Sequence, residues 1–299
     1  MSQTALTVGT EYLDRKITGT GTEEDPWIIG SIEGDTDENM FQNFLDAVYT
    51  QNAYVTLAHD IDVSQIVEYR GGLGGHIDIT AKLVRGRENK SAIRNLITVG
   101  KMFNSRTTGA SMTQMQFLNC IVNEASSPVL DWVYAEGGGV SYCDFSLLVR
   151  GVNNGSVVIN DQGLDHCSMD IKMINCYLSQ SALCHATNSQ FNIKCICPNS
   201  NMPFQNLQKC GITGEIHFTG TGAGSKFSIY CDYCYFALTL SAENVVTFGG
   251  ATGSYVNTNS YYCLSYDDNV TPLDTTVYPS ITPEQLRSKE YLYEIGFLP

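Results

Sequence analysis

Short stretches of the chain alternate apolar and polar residues with a period of two. In Phe191-Asn192-Ile193-Lys194-Cys195-Ile196-Cys197, Phe191, Ile193, Cys195 and Cys197 fall on one side, and Asn192, Lys194 and Ile196 on the other. The same pattern is read in Phe117-Leu118-Asn119-Cys120-Ile121-Val122 and Phe227-Ser228-Ile229-Tyr230-Cys231. Large apolar residues open these strands at Phe117, Phe145, Met169, Phe191, Ile212 and Phe227, about 22 residues apart on average and within the window that marks stacked solenoid coils. Turns such as Val152-Asn153-Asn154-Gly155-Ser156 and Asn199-Ser200-Asn201 supply residues that tolerate left-handed backbone at corners. The expectation is a stack of rungs with like side chains laddered along its axis.

The first third carries different signals. Asp25-Pro26 leads into Trp27-Ile28-Ile29 and Gly30 ends the run, which reads as one short strand. Met40, Phe41, Phe44, Leu45 and Val48 recur at three- and four-residue steps, predicting a helix over about 37–50 capped by Asp35, Thr36 or Asp37. A strand follows from Ala53 to Val63, with Val55, Leu57, Ile61 and Val63 on one side.

This order, GTGTEEDPWII, then a short amphipathic helix, then YVTLAHDIDVSQ, resembles the N-terminal cap and first rung of right-handed parallel β-helix proteins, a type common among phage virion proteins (tail spikes and similar appendages) and bacterial surface repeats. The resemblance implies an all-β, single-stranded right-handed parallel β-helix. Its expected segments are an N-terminal strand and capping helix over 1–52, the β-helix over 53–265 and a short helical tail over 266–299. A helix over the open end would hide both core and strand edges from water.

After Cys263 the character changes. Pro272, Pro279 and Pro283 interrupt a ladder, because proline donates no strand hydrogen bond. Thr282-Pro283-Glu284-Gln285 predicts a helix capped by Thr282, with Pro283 first, running to about Tyr293. Leu286, Tyr291, Leu292 and the final Ile295-Gly296-Phe297-Leu298-Pro299 either pack back onto the last rungs or meet another copy of the chain.

Composition narrows the function classes. With 31 acidic against 17 basic residues and a net charge of -14, the chain repels nucleic-acid phosphates and anionic lipid headgroups, so neither nucleic-acid binding nor membrane insertion is expected. The first residues lack the basic and apolar regions of a secretory signal, which points to folding in a bacterial cytoplasm. There the 11 cysteines would stay reduced, acting as small core hydrophobes.

Some β-helix proteins cleave polysaccharides, so catalytic constellations were sought. The Asp-Asp plus Gly-His-Gly hallmark of polygalacturonase-like enzymes has no counterpart: Gly75-His76-Ile77 lacks the second glycine and Asp267-Asp268 lies in the tail. A pectate-lyase-like arrangement would need Arg or Lys beside acidic metal ligands, yet no arginine occurs between Arg150 and Arg287, and Arg85, Arg87 and Arg94 sit in a stretch with no evident acidic cluster.

The best local candidate is the corner Asn160-Asp161-Gln162-Gly163-Leu164-Asp165-His166, read chiefly as turn structure, with convergence of Asp161, Asp165 and His166 on one corner as the alternative. His59-Asp60-Ile61-Asp62 is read as a solvated face, since two carboxylates do not specify calcium. Cys231 with Cys234 and Cys195 with Cys197 are read as interior thiols, with zinc as the alternative if Cys231 stacked on the Cys195/Cys197 pair. Tyr230, Tyr233, Tyr235, Tyr255, Tyr261, Tyr262 and Tyr266 form clusters suited to sugar stacking or an oligomer interface, or follow from strand propensity alone.

No residue is assigned as catalytic, cofactor-binding or metal-ligating, and no cofactor is expected. The resemblance implies a phage or prophage virion structural protein for assembly or host-surface attachment. The alternatives are a polysaccharide-degrading enzyme on the same scaffold and a non-catalytic glycan-binding module. Expected partners are other virion proteins or host-surface glycans, and by resemblance a homotrimer.

Overall fold

A computed structural model describes residues 18–48, 53–63, 69–70, 83–86, 89–99, 103–123, 129–131, 133–151, 156–158, 163–176, 178–179, 183–198, 200–201, 204–220, 226–249 and 257–295. The chain forms a right-handed parallel β-helix. A long face stacks Ile61–Asp62, Ser91–Arg94, Met115–Asn123, Asp144–Arg150, Ser168–Ile174, Gln190–Cys197, Gly211–Phe218, Tyr235–Ala242 and Tyr261–Tyr266 in sequence order. A second face stacks Trp27–Ile29, Tyr54–Leu57, Leu83–Arg85, Phe103–Thr113, Val133–Ser141, Leu164–Asp165, Leu183–Thr187, Phe204–Gln208 and Ser228–Ile229. Short third-face pairs join Val129–Asp131 to Ser156–Val158 and Leu178–Ser179 to Ser200–Asn201.

The alternation read from sequence sets which side chains enter the core. On Gln190–Cys197, Phe191, Ile193, Cys195 and Cys197 are buried while Asn192 and Lys194 are exposed. Register then builds one ladder through the molecule: Ile93, Phe117, Phe145, Met169, Phe191, Ile212, Phe236 and Tyr262. All eight are buried. Phe117 stacks on Phe145 with ring centroids 5.6 Å apart, and Phe236 on Tyr262 at 4.8 Å.

This ladder corrects two expectations. The strand opening after Ile212 is Phe236, not Phe227. Phe227 precedes the second-face strand Ser228–Ile229, and the alternation expected there fails because Phe227, Ser228 and Ile229 are all buried. Its ring instead packs edge-on against Phe236 at 5.8 Å and Phe204 at 5.3 Å. Tyr262 points inward rather than outward: its hydroxyl meets Ser228 Oγ at 2.7 Å, satisfying a polar tip that the core would otherwise strand. The ladders also begin before Phe117, at Ile61 and Ile93 on the long face and at Val55 and Val84 on the second.

The N-terminal helix α1 spans Asp37–Val48. Thr36 Oγ1 accepts from Asn39 N at 3.2 Å, and Asp37 and Glu38 occupy the positive end of the dipole. Met40, Phe41, Phe44, Leu45 and Ala47 are buried, and so are Gln42 and Asn43, so the helix is enclosed on more than its apolar stripe. It contacts Trp27–Ile29, Tyr54–Leu57 and Ile61–Asp62 at the start of the stack.

At the other end the coil does not stop abruptly after Cys263. Val270 bridges to Val246 and Ser280 to Tyr262, both in parallel, and Val270, Leu273, Tyr278 and Ile281 are buried over the last rung. The single tail helix expected to run to about Tyr293 is two: α2, Pro283–Arg287, and α3, Lys289–Glu294. Thr282 and Gln285 form a reciprocal capping box, as the Thr-Pro start implied. Ser288 then takes an extended conformation, and its hydroxyl oxygen accepts from Tyr291 N at 3.2 Å, so it ends one helix and starts the next. Tyr261 hydroxyl donates to Ile295 O at 3.4 Å, tying this arm to the last long-face strand. Neither short helix buries a residue.

Candidate functional site

The corner where the second face turns into the long face repeats one local solution. Gln114, Tyr142, His166, Asn188, Lys209, Tyr233 and Asn259 all have left-handed backbone, with φ between 49° and 57°. The N–H of each residue from Gln114 to Tyr233 donates to the next rung: Tyr142 to Asp165 O at 3.0 Å, His166 to Thr187 O at 3.2 Å, Asn188 to Gln208 O at 3.0 Å. The corner therefore turns without breaking the hydrogen-bond ladder.

Directly after each left-handed residue comes a buried small side chain, except for Met115: Cys143, Cys167, Ser189, Cys210, Cys234 and Ser260. Four of these point an S–H at two carbonyls, one two residues back and one on the preceding rung. Cys210 Sγ lies 3.3 Å from Gln208 O and 3.4 Å from Ala186 O. Cys234 Sγ lies 3.4 Å from Asp232 O and 3.3 Å from Leu207 O. Ser260 makes the same two bonds through its hydroxyl, at 3.1 Å each, to Thr258 O and Cys231 O.

Cys143, Cys210 and Cys234 are held protonated, whereas the bond with Cys143 pulls Cys167 below the ordinary thiol value against the opposing effect of burial. Burial raises Cys120, at another corner, to about 12. For Cys234 the bond with Cys210 pulls the value down, but the contact with Cys231 and burial outweigh it and leave it at about 12. Cys210 is pushed up by its bond with Cys234 and then by burial. The thiolate is the nucleophile and metal ligand, so the cysteines with raised values, Cys120, Cys143, Cys210 and Cys234, act as structural donors.

Outward from the buried thiols lie two columns. One holds Ser141, Asp165, Thr187, Gln208 and Asp232 in register. The other, three residues before each corner residue, holds a second left-handed series: Gly139, Gly163, His185, Asn206 and Tyr230. Between them runs an open groove of about 410 Å3, lined by Gly163, His185, Asn206, Gln208, Tyr230 and Asp232 among others. His185 Nε2 and Asn206 Nδ2 approach to 3.3 Å across adjacent rungs, and Tyr142 stacks on His166 with centroids 4.9 Å apart.

Asp165 and His166 do come together: His166 Nδ1 lies 2.9 Å from Asp165 Oδ1. The same oxygen accepts from Thr187 Oγ1 at 2.9 Å and Asn188 Nδ2 at 3.0 Å on the next rung. Partial burial works against ionisation of Asp165, but the bonds from Asn188, His166 and Thr187 hold it below the usual carboxylate range. It thus serves the corner as a fixed anion, the turn reading of this motif; Asp161 lies outside the described residues. Asp232 repeats the arrangement, accepting from Thr258 Oγ1 at 2.8 Å and Asn259 Nδ2 at 3.4 Å.

Asp165 and Asp232 share one column three rungs apart, which at the inter-strand spacing of about 4.8 Å separates them by about 14 Å. That exceeds the roughly 5 to 9.5 Å between the carboxyl groups of glycosidases.

The remaining sequence candidates take structural roles. Asp60 accepts from Ala92 N at 3.1 Å and pairs with Arg94 at 3.4 Å, while Asp62 accepts from Asn95 Nδ2 at 3.0 Å. They stitch the first rungs together rather than present a joint ligand set. Asp267 caps a turn, accepting from Ala242 N and Asn269 N. Arg85 faces Glu23 at 3.7 Å; Arg87 and Gly75-His76-Ile77 lie outside the described residues.

Cys195 and Cys197 are buried on the long-face strand, whereas Cys231 follows the second-face strand and interacts with Cys234. The stack that zinc would have required is not formed. Among the described residues no group of three or more His, Cys, Asp or Glu is placed to hold a metal. Of the tyrosine clusters, Tyr230 is exposed, Tyr235 donates its hydroxyl to Gln190 Oε1 at 2.8 Å, and Tyr266 hydroxyl accepts from Leu273 N at 3.3 Å. Tyr255 lies outside the described residues.

Sequence reasoning missed the corner itself. Its signal is a two-residue word, a polar or aromatic residue followed by Cys or Ser: Tyr142-Cys143, His166-Cys167, Asn188-Ser189, Lys209-Cys210, Tyr233-Cys234 and Asn259-Ser260. In the structure each ladder opening, from Phe145 to Tyr262, follows the first residue of its word by three positions.

No family model and no curated protein matches the chain. Among solved structures it is similar to a crystal structure of a putative immunoglobulin A1 protease from Bacteroides ovatus, at 13% identity over 90% of this chain and 87% of that one, with a TM-score of 0.46. Similarity at that level bears on neither activity nor partners. Among the described residues no helix is long and apolar enough to cross a membrane, which leaves β-barrel spans unaddressed.

Proposed function

We propose that the chain is a structural component of a phage or prophage virion, a β-helical appendage module for assembly or host-surface attachment, working as a homotrimer and without catalysis of its own. The observation that carries this reading is the use to which the outward polar groups are put. Asp60, Asp62, Asp165 and Asp232 each accept hydrogen bonds from the following rung, so their charge locks coil to coil and stiffens the rod. A rod of this kind transmits load and presents side chains at a fixed axial repeat.

Function sits in sites grafted on a fold, and the fold alone supports an enzyme equally well. The separation of Asp165 and Asp232 favours the non-catalytic reading over a glycosidase. The test is direct: particles released from the cells that carry this gene are purified on a density gradient and probed with antibody against the chain. Co-sedimentation with the particles is expected, and multi-angle light scattering of the purified protein should give three times the chain mass. A chain found only in the soluble lysate, with polysaccharide cleaved in a product-release assay, would replace this reading with the enzymatic one.

A further inference from the structure

Strand register aligns Met115, Cys143, Cys167, Ser189, Cys210, Cys234 and Ser260 on successive rungs of the buried column behind the corner. That column places one cysteine directly on another at two points. The first pair is isolated, because Met115 and Ser189 flank Cys143 and Cys167 and neither carries a thiol. The second is not: Cys234 contacts Cys231 as well as Cys210.

Ser141 pairs with Asp165 and Asp144 with Ser168, so Cys143 and Cys167 sit opposite each other between two fixed registers. Parallel neighbours lie about 4.8 Å apart, inside the roughly 4.4 to 6.8 Å that a disulfide spans between Cα atoms. Both side chains are buried, and the two thiols share a hydrogen bond. Joining them asks for rotation of a thiol, not for movement of the backbone.

We propose that Cys143 and Cys167 form a peroxide-oxidisable dithiol, a modification site that closes to a disulfide between consecutive rungs. Cys167 is the attacking sulfur. Its bond with Cys143 favours the thiolate against burial and the charge of Asp165, whereas the same bond, together with burial, keeps Cys143 protonated. Cys167 also keeps 3% of its surface open and Cys143 keeps 0%, so hydrogen peroxide, scarcely larger than water, meets Cys167 first.

The Cys167 thiolate attacks one peroxide oxygen, the O–O bond breaks, and hydroxide leaves, which makes Cys167 a sulfenic acid. The Cys143 sulfur then attacks the Cys167 sulfur and gives up its proton, and the S–O bond breaks to release water. Each sulfur loses one electron and the peroxide gains two. With the proton that Cys167 had given to solvent, the peroxide ends as two waters.

The test is peptide mass spectrometry of the full chain after excess hydrogen peroxide and alkylation of the remaining thiols. Peptides linked through Cys143 and Cys167 should appear, short of two hydrogens, and should return to free thiols in dithiothreitol. They should form about 10-fold faster than any link between Cys210 and Cys234, whose values are both raised. Cys143→Ser should leave a Cys167 sulfenic acid that dimedone labels, because a hydroxyl keeps the bond to the thiolate and cannot resolve the product. Cys167→Ser should leave Cys143 a free thiol. Serine already occupies this column at Ser189 and Ser260, where its hydroxyl donates to the carbonyl two residues back as the thiols do, and the linkage in the wild-type chain is read without any substitution.

A Cys143–Cys167 pair that stays reduced in excess peroxide, a Cys210–Cys234 link that forms first, or dimedone on Cys143 rather than Cys167 would each overturn the proposal.

Discussion

Cys210 gives the sharpest test of what the corner thiols do. Its Sγ is buried and directs one S–H toward two carbonyls, Gln208 O at 3.3 Å and Ala186 O at 3.4 Å. Cys210→Ala removes the donor while Gln208 O keeps its bond from Asn188 N at 3.0 Å, so the loss is that of one net hydrogen bond, about 0.5 to 1.5 kcal/mol. The volume lost adds a few tenths of a kcal/mol at about 24 cal/mol per Å3. Cys210→Ser keeps a donor in a slot where Ser260 already bonds the equivalent pair of carbonyls at 3.1 Å, so its cost should stay under about 1 kcal/mol. For a chain of 299 residues about 2 kcal/mol shifts Tm by about 3 °C. Urea unfolding followed by circular dichroism should rank wild type, serine and alanine in that order with an unchanged m-value. Alanine within 0.5 kcal/mol of wild type, or serine below alanine, would refute the donor role and reduce these cysteines to filler.

Other outcomes follow from the same geometry. Cys120 and Cys234 move from an ordinary 9.0 to about 12 on folding; a raised value means that the stability they contribute is complete below pH 9 and is lost as pH climbs toward 12, by roughly 4 kcal/mol each at the limit. Melting temperature measured from pH 8 to 11 should therefore fall steadily above 9, and Cys120→Ser should flatten the slope. Gly214→Ala should cost more than about 2 kcal/mol in chemical unfolding, because its φ is 120° and a methyl there would run into the backbone of Ile193 on the adjacent rung. Phe236→Ala should cost about 3 to 5 kcal/mol, since Tyr262, Phe204 and Phe227 all pack on that ring; a loss under 1 kcal/mol would mean the aromatic ladder is not continuous.

How much of this was readable beforehand depends on range. Alternation within Gln190–Cys197 and the helical spacing of Met40, Phe41, Phe44 and Leu45 are local, and both carried through to burial in the structure. Rung boundaries are not local. Phe227 and Phe236 are equally good openings by composition, and only pairing of Phe236 with Ile212 and Tyr262 decides between them. The same holds for Ser288, whose role as a shared cap depends on its extended backbone rather than on any break in helix propensity. The corner series was hidden for a further reason. Glutamine, tyrosine and lysine are poor predictors of left-handed backbone, so a reader looking for Asn-Gly corners passes over Gln114, Tyr142, Lys209 and Tyr233.

Removing residues 189–209 puts the rung model to a demanding test. The cut joins Asn188 to Cys210, which restores the corner word of a left-handed residue followed by a buried thiol. Existing registers then dictate the new pairs: Met169 meets Ile212, Met173 meets Ile216, and Thr187 meets Asp232. Apolar faces apolar at these core positions and polar faces polar at the corner, while Leu183 would meet Ser228 and Ile174 would meet His217. Each rung of a solenoid contacts only its neighbours, so the shortened chain should fold, at the cost of one rung's intrinsic and interface terms. Circular dichroism and a cooperative melt check this expectation. A soluble, non-cooperatively melting product would mean that coupling along this β-helix extends beyond adjacent rungs, through the long-face ladder from Ile93 to Tyr262 that the cut shortens.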